Sequence, residues 1–205
     1  MKRVSALLLL SACVYAQKNK TGEWAAIVNW PFIPVSVGQT PDGRIIGWAS
    51  TRPTTFPAGE TYTYAAVYDP ATGTFATLPN VKHDMFCAGI ATTVDGRIVA
   101  SGGGADVRTT SFLSNSGPQN WVQVGSMAQG RWYNSSATLP DGRILTWWGR
   151  SANGIAEILD PATGVWTTFN NLNALSGDDP NDGVDDENQW FPHLHVAPNG
   201  KLFHA

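Results

Sequence analysis

Cys87 lies eight residues before Asp95 of an Asp-Gly-Arg sequence, and Tyr133 lies eight residues before Asp141 of the next one. A thiol and a phenol therefore occupy the same register in consecutive copies of a repeat. In a radially repeated fold, equal register means neighbouring places around one axis, so a lone sulfur would sit beside an aromatic hydroxyl. Such a cysteine has three readings: a small buried hydrophobe, half of a disulfide to a cysteine elsewhere, or a sulfur taking part in a site shared with Tyr133. The other cysteine, Cys13, sits in an N-terminal apolar stretch that export would remove or modify, which leaves Cys87 as an odd thiol.

The elements that must position this pair can be read from the turns. Pro41-Asp42-Gly43-Arg44, Val94-Asp95-Gly96-Arg97, Pro140-Asp141-Gly142-Arg143 and Pro198-Asn199-Gly200-Lys201 are each flanked by short β-branched or aromatic runs. Asp-Gly or Asn-Gly between such runs is a strong hairpin signal, because the tight turn needs a positive φ. A second turn alternates with the first, at Tyr68-Asp69-Pro70-Ala71-Thr72-Gly73 and Leu159-Asp160-Pro161-Ala162-Thr163-Gly164. Two hairpins per unit make a four-stranded blade, and the Asp-Gly turns recur near the roughly 50-residue kelch period. No helical pattern intervenes. The expected fold is all-β, a kelch-type propeller over 17–205, with blades near 22–80, 81–125 and 126–170 and a fourth begun at about 184. Gln189 to Ala205 supplies only the first hairpin of that fourth blade. A propeller must close its ring to remove its edges, so the sequence reads as about three and a half blades, the N-terminal portion of a longer protein.

Composition agrees with an exported β-rich chain. Only 14% of residues are charged, the formal net charge is −3, and Gly, Pro and Trp are plentiful. No basic patch is present, which argues against a nucleic-acid partner. Met1-Lys2-Arg3, the apolar run Val4 to Leu10, and Val14-Tyr15-Ala16 read as a signal peptide over 1–16, too short to span a membrane. Leu10-Ser11-Ala12-Cys13 also resembles a bacterial lipobox, with Cys13 as a lipid anchor. The expected location is secreted or periplasmic, with lipid anchoring at the cell envelope as the alternative.

Longer motifs narrow the chemistry. Lys82-His83-Asp84-Met85-Phe86-Cys87-Ala88-Gly89 resembles the segment that carries the cross-linking cysteine in galactose oxidase and its relatives, the copper radical oxidases. Gly130-Arg131-Trp132-Tyr133-Asn134-Ser135-Ser136-Ala137-Thr138, followed by Asp141-Gly142-Arg143, is similar to the segment holding their cross-linked tyrosine. Gly43-Arg44 through Trp48-Ala49-Ser50, then Tyr68 through Gly73, keep that family's order and spacing. The resemblance covers about residues 27–205, and Trp132 directly before Tyr133 leans toward the glyoxal-oxidase-like branch.

The resemblance implies a larger, seven-bladed ring and a mononuclear copper enzyme with a Tyr-Cys thioether radical cofactor. On that reading Cys87 donates the sulfur, and Tyr133 is both the radical and an equatorial copper ligand through its phenolate oxygen. The reaction implied takes a small alcohol, aldehyde or carbohydrate and dioxygen to an aldehyde or acid and hydrogen peroxide. The family's remaining copper ligands, a tyrosine with an adjacent histidine and a later histidine, belong downstream, and no Tyr-His pair occurs here. The chain as given is therefore expected to be inactive. Two departures bear on the substrate. Galactose oxidase's stacking indole matches Ser151, so the shield is missing or comes from Trp132, Trp147 or Trp148, and its substrate-gripping arginine falls near Pro192. A small alcohol or aldehyde is expected rather than galactose. The alternative function class is a non-catalytic kelch propeller that binds glycan or protein, with Cys87 and Tyr133 kept for packing.

Other residues offer weaker chemistry. His193 and His195 alternate along a strand and could form half a metal site, but nearby ligands are lacking and strand packing accounts for them. His83 reads as a structural hydrogen-bonder. Asp178, Asp179, Asp182, Asp185, Asp186 and Glu187 form an acidic loop without the spacing of a calcium-binding EF-hand. Gly102-Gly103-Gly104 opens no helix and reads as blade punctuation rather than a phosphate cradle. Asn134-Ser135-Ser136 is a formal glycosylation sequon expected to be buried.

Overall fold

The computed structural model describes residues 22, 24–57, 59, 61–115, 119–152, 155–169 and 190–204. The expected signal peptide, Cys13, the acidic loop and the start of the fourth blade lie outside the described residues. The chain divides into two compact units, Met1–Trp30 and Pro31–Ala205. Among the described residues of the first, none lies in a strand or helix. The second holds every element discussed below.

Three antiparallel sheets follow one another, each a meander of four strands. They comprise β1 (Ser36–Gln39), β2 (Ile45–Trp48), β3 (Ala65–Asp69) and β4 (Thr74–Thr77); β5 (Gly89–Thr92), β6 (Ile98–Ser101), β7 (Thr110–Leu113) and β8 (Trp121–Gln123); and β9 (Ser135–Thr138), β10 (Ile144–Trp147), β11 (Ala156–Asp160) and β12 (Val165–Phe169). A two-stranded sheet, β13 (Leu194–Val196) and β14 (Leu202–His204), completes the set. The architecture is all-β and propeller-like. Strand β9 packs beside both β5 and β13, so the first strands of consecutive sheets are neighbours.

Local hydrogen bonding explains the repeat. In the first hairpin the Thr40 N–H donates to the Arg44 carbonyl and the Gly43 N–H to the Thr40 carbonyl, both at 2.9 Å. The loop is thus three residues long, with its last residue left-handed at Gly43, φ +85°. Positive φ falls on the glycine and not on the preceding aspartate, which instead uses its carboxylate to accept from Thr40 and Arg44. The same two main-chain bonds recur at Thr93–Arg97, Leu139–Arg143 and Ala197–Lys201.

Burial shows how the sheets stack. Strands β6 and β10 are buried at every position, whereas β4 and β12 are mostly exposed, because second strands are covered on both faces by adjacent sheets. Ile46, Trp48, Met85, Ile98 and Leu113 join the first sheet to the second; Val99, Phe112, Ile144 and Leu159 join the second to the third; Trp147, Leu194 and Leu202 join the third to the two-stranded sheet. Indoles also bond across sheets. Trp48 Nε1 donates to the Met85 carbonyl, and Trp121 Nε1 to that of Leu78, each at 3.0 Å.

Candidate functional site

Cys87 and Tyr133 stand two residues before β5 and β9, at the strand ends opposite the Asp-Gly turns. Both adopt the left-handed backbone conformation, φ +58° and +62°, and Phe191 ahead of β13 does so too at +50°. Phe191 lies eight residues before Asn199 and therefore shares the same register. The Tyr133 N–H donates to the Cys87 carbonyl at 3.1 Å, and the Phe191 N–H donates to the Tyr133 carbonyl at 2.6 Å. One main-chain relay thus crosses three sheets. Each non-glycine residue in this conformation costs about 1–2 kcal/mol, which surrounding structure must offset.

The residue before each of these is aromatic: Phe86, Trp132 and Trp190. The Trp132 ring stacks on the Tyr133 phenol at 4.7 Å and 12°, and the Trp190 ring stacks on it at 5.0 Å and 17°. Phe191 meets the phenol edge-on at 5.5 Å. Phe86 packs against Trp132, Phe56 stacks on Phe86, and the Arg150 guanidinium lies 5.6 Å from the Trp132 ring centre. The phenol therefore lies between two indoles inside an aromatic rim. Trp190, Phe191 and Phe56 keep 53%, 43% and 39% of their surface exposed.

Of the three indoles that the sequence offered as a shield, Trp132 stacks on Tyr133, and so does Trp190, which sequence reasoning passed over although its place beside a register residue was a usable signal. Trp147 and Trp148 stack on one another at 5.7 Å within a buried cluster that includes Leu145 and Ala156, as in ordinary blade packing.

Charge at the site is set by burial. Burial pushes the Cys87 thiol up to about 11; the neighbouring Trp132 indole N–H opposes the rise, without a hydrogen bond of full geometry, and Asp84 adds to it. Burial also raises the Tyr133 phenol, Cys87 reinforces the rise and Arg150 opposes it. At neutral pH the two side chains are a thiol and a phenol. Cys87 is a free cysteine.

The loop carrying Cys87 is anchored from below. Asp84 accepts from the Phe86 N–H at 3.1 Å and the Gly59 N–H at 2.9 Å. His83, fully buried, donates from Nε2 to the Gly102 carbonyl at 2.7 Å, which leaves Nδ1 to accept from the Ser111 hydroxyl at 3.0 Å. Both ring nitrogens are used, so His83 is structural. Asn134 is also fully buried, accepting from the Gly89 N–H and donating to the Ser101 carbonyl, and its sequon is closed in the folded state. Gly103, in the connection after β6, donates its N–H to the Arg131 carbonyl and packs against the Asp84 carbonyl, so it is a structural joint rather than a phosphate cradle. His193 and His195 are exposed, and no group of three or more His, Cys, Asp or Glu suited to a metal ion occurs among the described residues.

With this geometry established, comparison with known proteins becomes specific. The profile described as Glyoxal oxidase N-terminus matches residues 49–204. The chain belongs to this glyoxal oxidase N-terminal family. Galactose oxidase of Gibberella zeae is 36% identical over 160 residues, which is 73% of this chain and 23% of that protein. Aldehyde oxidase GLOX1 of Arabidopsis thaliana is 30% identical over 122 residues, 58% of this chain and 19% of that protein. A solved fungal alcohol oxidase of the AA5 family, in complex with copper, superposes with a TM-score of 0.65 at 32% identity, covering 71% of this chain and 32% of the other. Virginiamycin B lyase of Staphylococcus aureus, at 9% identity and a TM-score of 0.53, shares the fold alone. As a glyoxal oxidase N-terminal chain, the protein is related to the copper radical oxidases and spans about a quarter of the length of the galactose oxidase it matches.

The donors of this glyoxal oxidase N-terminal chain fit copper in part. Copper(II) favours a tetragonal set of nitrogen and oxygen ligands. Tyr133 offers one such oxygen at a partly open rim, and the described residues hold no group of three or more His, Cys, Asp or Glu that could complete the set.

Proposed function

We propose that the full-length protein is an exported copper radical oxidase in which Cys87 and Tyr133 are joined by a thioether, and that it oxidises a small primary alcohol or aldehyde with dioxygen. The observation that carries this reading is the pairing of Cys87 with Tyr133 in adjoining left-handed positions, with the Tyr133 ring held between Trp132 and Trp190, in a member of the glyoxal oxidase family. Forming the thioether replaces the Cys87 S–H and one Tyr133 ring C–H beside the hydroxyl with a single S–C bond. Two protons and two electrons leave, and dioxygen takes them up as hydrogen peroxide. Spread over ring, sulfur and hydroxyl oxygen, the unpaired electron of oxidised Tyr133 has a lower potential than that of a plain tyrosyl. Copper bound at the Tyr133 oxygen would supply a second one-electron centre, so that the pair removes two electrons from substrate.

Within that scheme oxidised Tyr133 takes a hydrogen atom from the substrate carbon, and the hydroxyl proton and the second electron leave to acceptors outside residues 1–205. Dioxygen takes up the two protons and two electrons as hydrogen peroxide, so that the alcohol becomes an aldehyde or the hydrated aldehyde an acid. Trp132 and Trp190 stack on the ring and reduce the access of water to the oxidised phenol. The exposed Trp190, Phe191 and Phe56 suit a small substrate with an apolar portion better than a sugar. Tyr133 is the one copper donor assigned in this chain, so residues 1–205 alone are proposed to be inactive. Export through residues 1–16, or anchoring at Cys13, places the oxidase outside the cytoplasm.

Peptide mass mapping of the full-length, copper-loaded protein tests the reading. The Cys87 and Tyr133 peptides should be found joined, with the loss of two hydrogens, and Cys87→Ala should abolish the linkage and most oxidase activity. Absence of the linkage after treatment with copper and oxygen would instead make the protein a non-catalytic propeller.

A further inference from the structure

Two fully buried charges sit directly behind the Tyr133 segment. Arg131 and Glu157 each have side-chain exposure of 0% and form an ion pair at 2.9 Å. From Arg131, Nε and Nη2 both donate to Glu157 Oε2, while Nη1 donates to the Trp148 carbonyl and Nη2 to the Ile155 carbonyl, each at 2.7 Å. Glu157 in turn accepts from the Ala128 N–H at 2.5 Å and the Gln129 N–H at 3.2 Å. Every oxygen and nitrogen of the pair that faces the protein interior is thus tied to the chain just before Tyr133 or to the strand turn behind it.

A buried ion pair is poor evidence of stability, since desolvation offsets much of the attraction and apolar residues of equal volume often serve better. Its place beside the Tyr133 segment points to a local task instead. The main chain on either side of Arg131 is held as firmly: Arg131 N–H to Val107, Gly103 N–H to the Arg131 carbonyl, Arg150 N–H to the Trp132 carbonyl, and Tyr133 N–H to Cys87. Tyr133 needs such restraint, because an aromatic residue at φ +62° persists only where its surroundings leave no alternative.

We infer that Arg131 and Glu157 are positioning residues for the cofactor pair: they hold the segment from Ala128 to Tyr133 so that Tyr133 keeps its left-handed conformation against Cys87 and its stack between Trp132 and Trp190. This rests on the reading that Cys87 and Tyr133 become joined. Neither residue touches the reacting atoms. Both act through the backbone that places them.

The test compares three variants of the full-length protein with the parent. The double substitution Arg131→Met with Glu157→Leu removes both charges and leaves no orphan ion; Arg131→Lys keeps the charge without the forked geometry; Leu159→Ala destabilises the second sheet interface without touching the segment. Far-ultraviolet circular dichroism and thermal melting report folding. Near-ultraviolet circular dichroism of the copper-free protein reports the Trp132–Tyr133–Trp190 stack, and mass mapping after copper and oxygen reports the cross-link. The double variant should fold, lose the near-ultraviolet signature of the stack, and form the cross-link about tenfold more slowly or worse, as expected for misplacement of reacting groups. Arg131→Lys should show a smaller loss of both, and Leu159→Ala should lower the melting temperature with both readouts intact. Parental stacking and cross-linking in a folded double variant would overturn the inference. If the double variant does not fold, parental values in Arg131→Lys overturn it. A parent protein that never forms the cross-link would refute the proposed function, and the near-ultraviolet comparison would still decide whether the pair positions Tyr133.

Discussion

Tyr133 combines a left-handed backbone with a ring held between two indoles, and each has a measurable consequence. Stacked aromatic pairs contribute about 0.5–1.5 kcal/mol beyond area burial, and Trp190 is half exposed, so Trp190→Ala should lower the melting temperature by only a few degrees. In the copper-loaded full-length protein the same change should shorten the lifetime of oxidised Tyr133 several-fold, read as faster decay of its visible absorbance. Unchanged decay would show that Trp132 alone protects the ring. Trp132→Ala should do more, because that indole also lies beside the Cys87 thiol and carries Phe86 and Arg150 against its ring.

At the scale of elements, the joints between loops matter more than the strands. Gly103 has φ +138°, and a Cβ there would overlap the Asp84 carbonyl. Gly103→Ala should therefore cost about 2–4 kcal/mol, as a backbone clash at a glycine-only conformation, and should separate the Cys87 and Tyr133 loops. Thermal melting and cross-link yield should fall together; loss of stability with full cross-linking would contradict this coupling. His83 gives the Cys87 loop a pH dependence. Burial lowers its pKa from an ordinary 6.5 to about 4, so between those values the unfolded chain binds a proton that the folded chain does not. Stability from this group is intact above about pH 6.5, falls as the pH drops toward 4, and is level below, a total of about 3 kcal/mol. Denaturant midpoints measured across that range should show the slope in the parent and a shallower one in His83→Asn.

For the whole molecule, the described fourth sheet has two strands, and β14 presents an edge with no third strand among the described residues. Residues 1–205 expressed alone should therefore bind hydrophobic dyes and aggregate, or melt without a sharp transition, as open edges and uncovered apolar faces do. Sharp cooperative melting of a monomer would refute this. The relatives are several times longer, and in the full-length protein the same sheets should melt as one unit.

The features that were legible in the sequence are local ones. Asp-Gly and Asp-Pro turns are closed by hydrogen bonds within five residues, so their residue types alone dictate them, and their recurrence sets the register that pairs Cys87 with Tyr133. That register also contained Phe191 and the aromatic positions before it, although only the folded chain drew attention to them. What tertiary structure alone decided was long-range: which indoles cover Tyr133, which pack in the core, and that Arg131 and Glu157 meet beneath the segment. Ring stacking depends on how one sheet is set against the next, and the meeting of a loop arginine with a strand glutamate depends on burial that removes water from both. Neither leaves a periodic mark on the chain.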